Sequence, residues 1–221
     1  MGHGADLAIV ILAREPAAGL LEEIGSEKAA QVYRCFVADA IARVRRVPRA
    51  QVYAAWGTVS DRSAAREWEA AGVESLEAAA DTLGRHMLRA FDHCLSLGHD
   101  RVIAIDARAP NAPLKAVREA AEHLRFLDLV LGPREEGGVY MVGTRGRYPE
   151  YFLEAPWEEN PAEEQLVGLA VLTGLEYAVL DAWYTIETLA DLRLLAQFLQ
   201  FDVSEDNPCP ETSAWLKANL R

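Results

Sequence analysis

Cysteine is scarce in this 221-residue chain: Cys35, Cys94 and Cys209 are widely separated and form no CxxC pair. That excludes a disulfide framework, and buried or incidental thiols are the expected reading rather than a metal or redox site. Long apolar runs are missing as well. Stretches such as Leu7–Ala13 and Leu127–Leu131 fall far short of the roughly 20 residues a membrane span needs, so no membrane span is expected. No basic region followed by an apolar run lies near residue 1, and a cytoplasmic location is the expectation. Positive charge is in deficit: 22 Lys and Arg against 34 Asp and Glu give a formal net charge of −12. Such a chain repels a phosphate backbone on average, and no basic strip with interleaved aromatics offsets this, so nucleic acid is not an expected partner. Arg43, Arg45, Arg46 and Arg49 do cluster, at the expected end of a helix where cations answer the helix dipole. A small phosphorylated molecule is compatible with this charge, held by backbone N–H groups and a few arginines. Neither a Pro/Gly/Ser-rich linker nor an internal repeat divides the sequence, so residues 1–221 are expected to form a single domain.

What is present is an alternation of strand and helix signals. Leu7–Ala13 is a continuous apolar run, as expected of a strand buried on both faces. A loop, Arg14–Gly25, follows it. Ser26 reads as a helix N-cap, with Ala29, Val32, Tyr33, Phe36, Val37, Ala40, Ile41 and Val44 at helical spacing. Gln51–Trp56 is a strand, Asp61–Ala70 a helix, Val73–Leu76 a short strand. A helix capped by Asp81 or Thr82 runs to Leu97 and ends at Gly98. Arg101–Ile105 and Leu127–Leu131 read as strands around a helix at Pro113–Leu124. Gly132-Pro133 reads as a turn and Val139–Gly143 as a strand. Pro161–Thr173, Leu189–Phe201 and Thr212–Leu220 read as helices, with a strand at Tyr177–Leu180. Repeated β-α-β order predicts a three-layer α/β/α fold with a mostly parallel sheet. Ligands of such sheets lie beyond the carboxyl ends of the strands, which singles out the loops after Ala13, after Ile105 and around Glu135–Gly138.

The residues in those loops carry several readings. In Ala13-Arg14-Glu15-Pro16-Ala17-Ala18-Gly19, the backbone can approach a base or phosphate, with Gly19 giving freedom and Arg14 a positive charge; an ordinary strand-to-helix turn accounts for it equally well. It is neither a dinucleotide fingerprint nor a P-loop. Gly137-Gly138 is either a glycine turn or a substrate-side loop. Trp157 is either a pocket wall or a core residue. Glu154, Glu158 and Glu159 are either a solvated acidic cluster or a source of an acceptor-activating base. His86 and His93 lie seven apart on one expected helix without an evident third metal ligand.

Taken in order, these segments carry a resemblance. Gly25…Ala29-Ala30…Tyr33-Arg34…Phe36…Asp39, Asp81…Leu83-Gly84-Arg85…Met87, Gly132-Pro133…Glu136-Gly137-Gly138…Tyr140…Gly143, Trp157 and Thr185-Ile186-Glu187-Thr188…Asp191-Leu192 fall in one fixed series. From about residue 7 to 195 the chain resembles a bacterial family of glycosyltransferase-like proteins of the arsenosugar-biosynthesis type, with the nucleotide-diphospho-sugar transferase (GT-A) fold. The resemblance implies a nucleotide-sugar ligand. It implies nucleotide binding by Ala13, Arg14, Glu15, Pro16, Gly19, Gly84 and Arg85, and a donor or acceptor pocket at Gly137, Gly138, Tyr140 and Trp157. It implies chemistry at Asp106, Arg108, Glu136 and Glu187.

The sequence departs from that family where charge matters most. The family's Lys-Thr-Arg-Leu after the first loop is replaced by Leu20-Leu21-Glu22-Glu23-Ile24. Its Ser-Asp-x-Pro is Ala107-Arg108-Ala109-Pro110, its Asp-Gly-Gly-Tyr is Glu136-Gly137-Gly138-Val139, and its Asp-x-Asp-Thr is Thr185-Ile186-Glu187-Thr188. GT-A enzymes usually stabilise the leaving diphosphate with Mg²⁺ or Mn²⁺, held by carboxylates at short, strict distances. A guanidinium in place of a carboxylate reverses the charge there. No metal-ligand set is therefore read, and Arg108 and Glu187 stand at its remnant positions. Two expectations follow: Arg108 replaces the ion's charge and transfer proceeds without metal, or the chain is a catalytically silent nucleotide- or protein-binding relative. In the second case Arg108 pairs with Asp106 or a surface acid, and Glu187 helps cap the helix that follows.

Overall fold

The computed structural model describes residues 6–57, 62–70, 72–158, 162–201 and 209–220. Seven strands form one sheet: β1 (Leu7–Ala13), β2 (Ala50–Trp56), β3 (Glu74–Glu77), β4 (Arg101–Asp106), β5 (Leu129–Pro133), β6 (Val139–Thr144) and β7 (Tyr177–Val179). Their order is β3-β2-β1-β4-β6-β5-β7. Only β6 runs antiparallel to its neighbours, β4 and β5. All seven residues of β1 are buried, because the strand is central and both its faces are covered. Leu7, Ile9, Ile11 and Ala13 join one apolar cluster, whereas Ala8, Val10 and Leu12 join another on the opposite face. The expected mixed α/β layering, with a mostly parallel sheet, is the observed one.

Helices α1 (Ala18–Ile24), α2 (Ser26–Val44), α3 (Arg62–Ala70), α5 (Leu114–His123), α8 (Leu189–Phe201) and α9 (Pro210–Asn219) cover the first face. The other carries α4 (Leu83–Ser96), α6 (Pro149–Glu154) and α7 (Ala162–Leu172). None of the described helices is long and apolar enough to cross a membrane.

Several local expectations are corrected. The loop at 14–25 contains α1, which is short and buries only Leu20. Ser26 is the first residue of α2 rather than its N-cap; Gly25 occupies that place with φ of 83°, which suits a residue lacking Cβ. Gly132-Pro133 is the end of β5, not a turn, and the register shifts between these two residues. There the missing N–H of proline is tolerated. Helix α6 was not expected at all, being only six residues long. Of the two candidate caps for α4, Thr82 accepts from Arg85 N–H at 3.3 Å. The expected helix starts at Asp61 and Pro161 lie outside the described residues. The C-terminal helix begins at Pro210, two residues earlier than expected; Asp39 on α2 accepts from Glu211 and Thr212 N–H at 3.1 and 2.8 Å, meeting its free donors.

One glycine decides how closely α4 and α6 approach. A Cβ on Gly84 would lie 2.1 Å from the Phe152 carbonyl oxygen and 2.7 Å from Trp157 Nε1. Gly84→Ala is therefore expected to destabilise the fold by about 1–3 kcal/mol, because the clash involves main chain that cannot swing aside. A urea titration should show a lower midpoint at unchanged slope.

Candidate active site

The carboxyl ends of β1, β2 and β4 open onto a cleft of about 400 Å³, lined by Arg14, Glu15, Pro16, Gly57, His86 and Arg108, with Glu158 at its edge. After β1, Tyr33 on α2 ties down the start of the loop by accepting from Arg14 N–H at 2.8 Å. Ala13 is buried, Glu15 is exposed and Pro16 is half-buried. A Cβ on Gly19 would sit 3.0 Å from the Glu187 carbonyl oxygen, so this glycine lets α1 pack against the segment before α8. The Arg14 side chain reaches Glu158 Oε1 at 2.8 Å, across 144 residues of sequence.

At the tip of β4, Asp106 and Arg108 form a tight unit. Arg108 N–H donates to Asp106 Oδ1 at 2.8 Å, its Nε to Oδ1 and Oδ2 at 3.1 and 3.0 Å, and its Nη2 to Oδ2 at 2.6 Å. The guanidinium also reaches Glu187 Oε1 through Nη1 at 3.1 Å. That same oxygen accepts from Arg134 Nη1 and, at 3.1 Å, from the Thr185 hydroxyl. Two acids and two guanidinium groups thus alternate from β4 to the segment before α8. Burial pushes the Asp106 carboxyl upward, but the charge and hydrogen bonds of Arg108 outweigh it and hold the group below the usual carboxylate range. Arg108 is raised chiefly by the Asp106 charge, although burial opposes this.

The β5–β6 turn adds Arg134 to this array. Gly137 and Gly138 take φ of 96° and 77°, and the Gly137 carbonyl accepts from Arg134 Nε at 2.6 Å. The glycine pair is thereby a turn that fixes an arginine. Glu136, on its tip, is exposed and takes no part in the network among the described residues. Glu187 does not cap the next helix; the Thr188 hydroxyl accepts from Asp191 N–H at 3.2 Å and Glu23 accepts from Leu189 N–H at 2.6 Å, while Asp191 in return accepts from Glu187 N–H and Thr188 N–H at 3.1 and 2.8 Å. Tyr140 and Trp157 are core residues, not cleft walls: they are 1% and 4% exposed. The Trp157 ring stacks on Phe152 at 5.3 Å, and burial pushes the Tyr140 hydroxyl up to about 12. Gly84 faces Phe152 and Trp157, as described above. Arg85 is exposed and pairs with Asp81 at 2.8 Å.

Sequence reasoning weighed His86 only as a metal ligand, and it missed Arg134 and the pairing of Glu158. His86 is 2% exposed in the cleft wall, and its Nε2 has no hydrogen-bond partner among the described residues. Its pKa is lowered to about 4, first by burial and then by Arg14 nearby, while a hydrogen bond with the Ala55 main chain opposes the shift. The one available signal was its place inside the Leu-Gly-Arg-x-Met segment. Glu159, the third acid of its cluster, lies outside the described residues, and Glu154 is exposed on α6.

Asp106 and Glu187 do not fit a divalent ion in this arrangement. Both Asp106 oxygens and Glu187 Oε1 are already engaged by guanidinium groups. Among the described residues, no three His, Cys, Asp or Glu side chains gather into a set able to hold a metal.

Comparisons with known proteins agree with this fold. A structure from Desulfovibrio desulfuricans G20, described provisionally as a nucleotide-diphospho-sugar transferase, is 25% identical; the match covers 97% of this chain and 95% of that one, with a TM-score of 0.83. A cytidylyltransferase from Leptospira borgpetersenii is 12% identical over 97% of this chain and 94% of its own, with a TM-score of 0.64. The 4-diphosphocytidyl-2C-methyl-D-erythritol synthase of Anaerococcus prevotii is 14% identical over 89% and 97%, with a TM-score of 0.62. The two more distant likenesses show the shared fold alone. No curated protein matches the sequence. Residues 40–159 match the family model described as "Uncharacterized protein conserved in bacteria (DUF2064)", and the chain belongs to that family.

Proposed function

We propose that the chain, acting as one unit, binds a nucleoside-diphosphate sugar in the cleft beyond β1 and transfers the sugar without a divalent ion. The observation that carries this reading is Arg108, fixed by Asp106 and Glu187 beside Arg14 in a cleft of suitable size. Sugar transfer breaks the bond from the anomeric carbon to the diphosphate oxygen, and charge grows on that oxygen. Preorganised guanidinium groups meet such charge with no reorganisation at the moment of reaction. Asp106 and Glu187 hold Arg108 in place, and Arg14 supplies the more exposed cation at the mouth. The order of its motifs and the likeness to the D. desulfuricans protein support this placement. So does the fact that another similar structure, a CMP:2-keto-3-deoxy-manno-octonic acid synthetase, is described as complexed with CTP.

A second reading draws on the same network: two carboxylates already neutralise Arg108, which suits a silent nucleotide-binding relative. Calorimetric titration with UDP- and GDP-sugars, with and without chelator, tests binding; product analysis with acceptors separates the two readings. Equal binding with chelator is expected. Failure to bind in either condition overturns the proposal.

Glu158 competes with the ligand for Arg14. Its side chain is 55% exposed, so the pair contributes little to stability. Glu158→Gln is expected to raise affinity for inorganic pyrophosphate about two- to fivefold at low salt, with the gain shrinking as salt is added.

A further inference from the structure

At the opposite end of the strands that lead to the cleft, positive charge gathers in a second hollow. Its volume is about 630 Å³, and its charged lining is Asp6, Arg49, Arg101, Arg118, Glu122 and Arg125. Arg49 precedes β2, Arg101 opens β4, and Arg118 lies on α5, with Arg125 just beyond the end of that helix. Arg118, Glu122 and Arg125 are spaced i, i+4 and i+7, as on one helix face. β1 runs between β2 and β4, so residues 49 and 101 reach one rim only through the sheet order. β1 and β4 end at the cleft after seven and six residues, which puts the hollow roughly 20 Å from it.

Part of this charge has a structural use. Arg101 Nη1 donates to the Ala121 carbonyl at 2.8 Å, answering the free carbonyls at the end of α5. Arg125 pairs with Glu122 at 3.1 Å, but the side chains are 57% and 71% exposed, and such a pair holds little. Arg49 and Arg118 take no side-chain hydrogen bond or ion pair among the described residues. Four guanidinium groups against two carboxylates and about half a negative charge from the helix end leave the hollow positive. That surplus stands out in a chain whose formal charge is −12. A concave wall of one sign concentrates counter-ions. Arg49 also sits at φ of 60°, a backbone that glycine or asparagine takes at less cost, so the turn does not account for an arginine there. We propose that this hollow binds a small molecule carrying two or more phosphate groups, whose oxygens the guanidinium groups meet as planar forks. A single phosphate engages too few of the four arginines. A nucleic-acid backbone would run from the hollow onto a surface that repels it. The site stands apart from the cleft and does not depend on what the cleft binds.

The test is a titration of the full chain with inorganic tripolyphosphate, followed by amide NMR so that the two sites are read separately. Leu7, Ala50 and Arg101 report on the hollow; Ala13, Gly57 and Arg108 report on the cleft. Saturable shifts are expected in the first group. Arg49→Gly with Arg118→Gln should weaken the affinity read there by about tenfold for each arginine removed, and leave the cleft group as in the wild type. Glycine suits the backbone at position 49 and Arg118 is exposed, so neither change threatens the fold. Arg147→Gln with Arg193→Gln removes the same charge outside the hollow, and should alter the affinity by less than about twofold. Sulfate at equal ionic strength should bind the hollow at least about tenfold more weakly than tripolyphosphate. A wild type without saturable shifts at Leu7, Ala50 and Arg101 overturns the proposal. So does an equal loss in the Arg147 and Arg193 pair, which would reduce the effect to overall charge. Sulfate binding as tightly as tripolyphosphate overturns the assignment to a multiply phosphorylated ligand.

Discussion

Arg108→Met is expected to lower the unfolding free energy by about 3–5 kcal/mol at neutral pH, the cost of leaving a buried charge without its partner. The Asp106 side chain is only 8% exposed, and it meets three guanidinium contacts and one main-chain N–H from Arg108. Methionine fills similar volume but satisfies none of these oxygens. Adding Asp106→Asn to Arg108→Met should recover much of the loss, because a neutral amide is cheaper to bury than a carboxylate. Arg108→Lys should fall between, retaining charge but not the planar fork. Urea unfolding of the four proteins measures this directly. A cost below about 1 kcal/mol for Arg108→Met would mean that Asp106 is solvated and the network is not the organising element of the cleft.

Stability should also fall by about 3 kcal/mol between pH 6.5 and pH 4, through His86 alone. The folded imidazole has its pKa lowered from 6.5 to about 4 by burial and by Arg14. In that window the unfolded chain takes up a proton that the folded one refuses, so acid shifts the equilibrium toward unfolding. Asp106 adds to the trend lower down: its depressed carboxyl stabilises the fold above the ordinary carboxylate value, and that contribution fades as pH falls through the folded pKa. Asp39 acts oppositely, since burial raises its carboxyl despite the hydrogen bonds it accepts, and the fold gains from its protonation. His86→Gln should flatten the slope between pH 6.5 and 4 without altering the Asp39 and Asp106 contributions. A wild-type midpoint unchanged across that window would show that His86 titrates normally and is open to water.

Much of the scaffold was legible because the sheet's apolar demands are local. β1 is a seven-residue run with no polar interruption, which only a strand covered on both faces tolerates. α2 and α8 follow from periodicity, and Gly98, with φ of 94°, closes α4 as a residue without Cβ should. Where Pro met Gly at 132–133, the turn signal misled. Proline at a strand end loses no ladder bond that the bulge had not already broken. The candidate site was legible in parts. Arg14, Asp106, Arg108 and Glu187 do converge, but Gly84, Tyr140 and Trp157 serve packing instead. A small or aromatic residue in a motif carries no mark of whether a ligand or a neighbouring helix lies against it.

The sequence alone determined the alternation of strands and helices, the acidic balance and the charge reversal at Arg108, because each of these is a property of residue type and short-range spacing. Only the tertiary structure decided that β6 enters antiparallel between β4 and β5. It also decided that Arg108 meets Glu187 across 79 residues and that His86 is buried in the wall of a cleft. Strand order and side-chain partners depend on which surfaces meet once the chain is compact, and long-range proximity leaves no trace in local pattern.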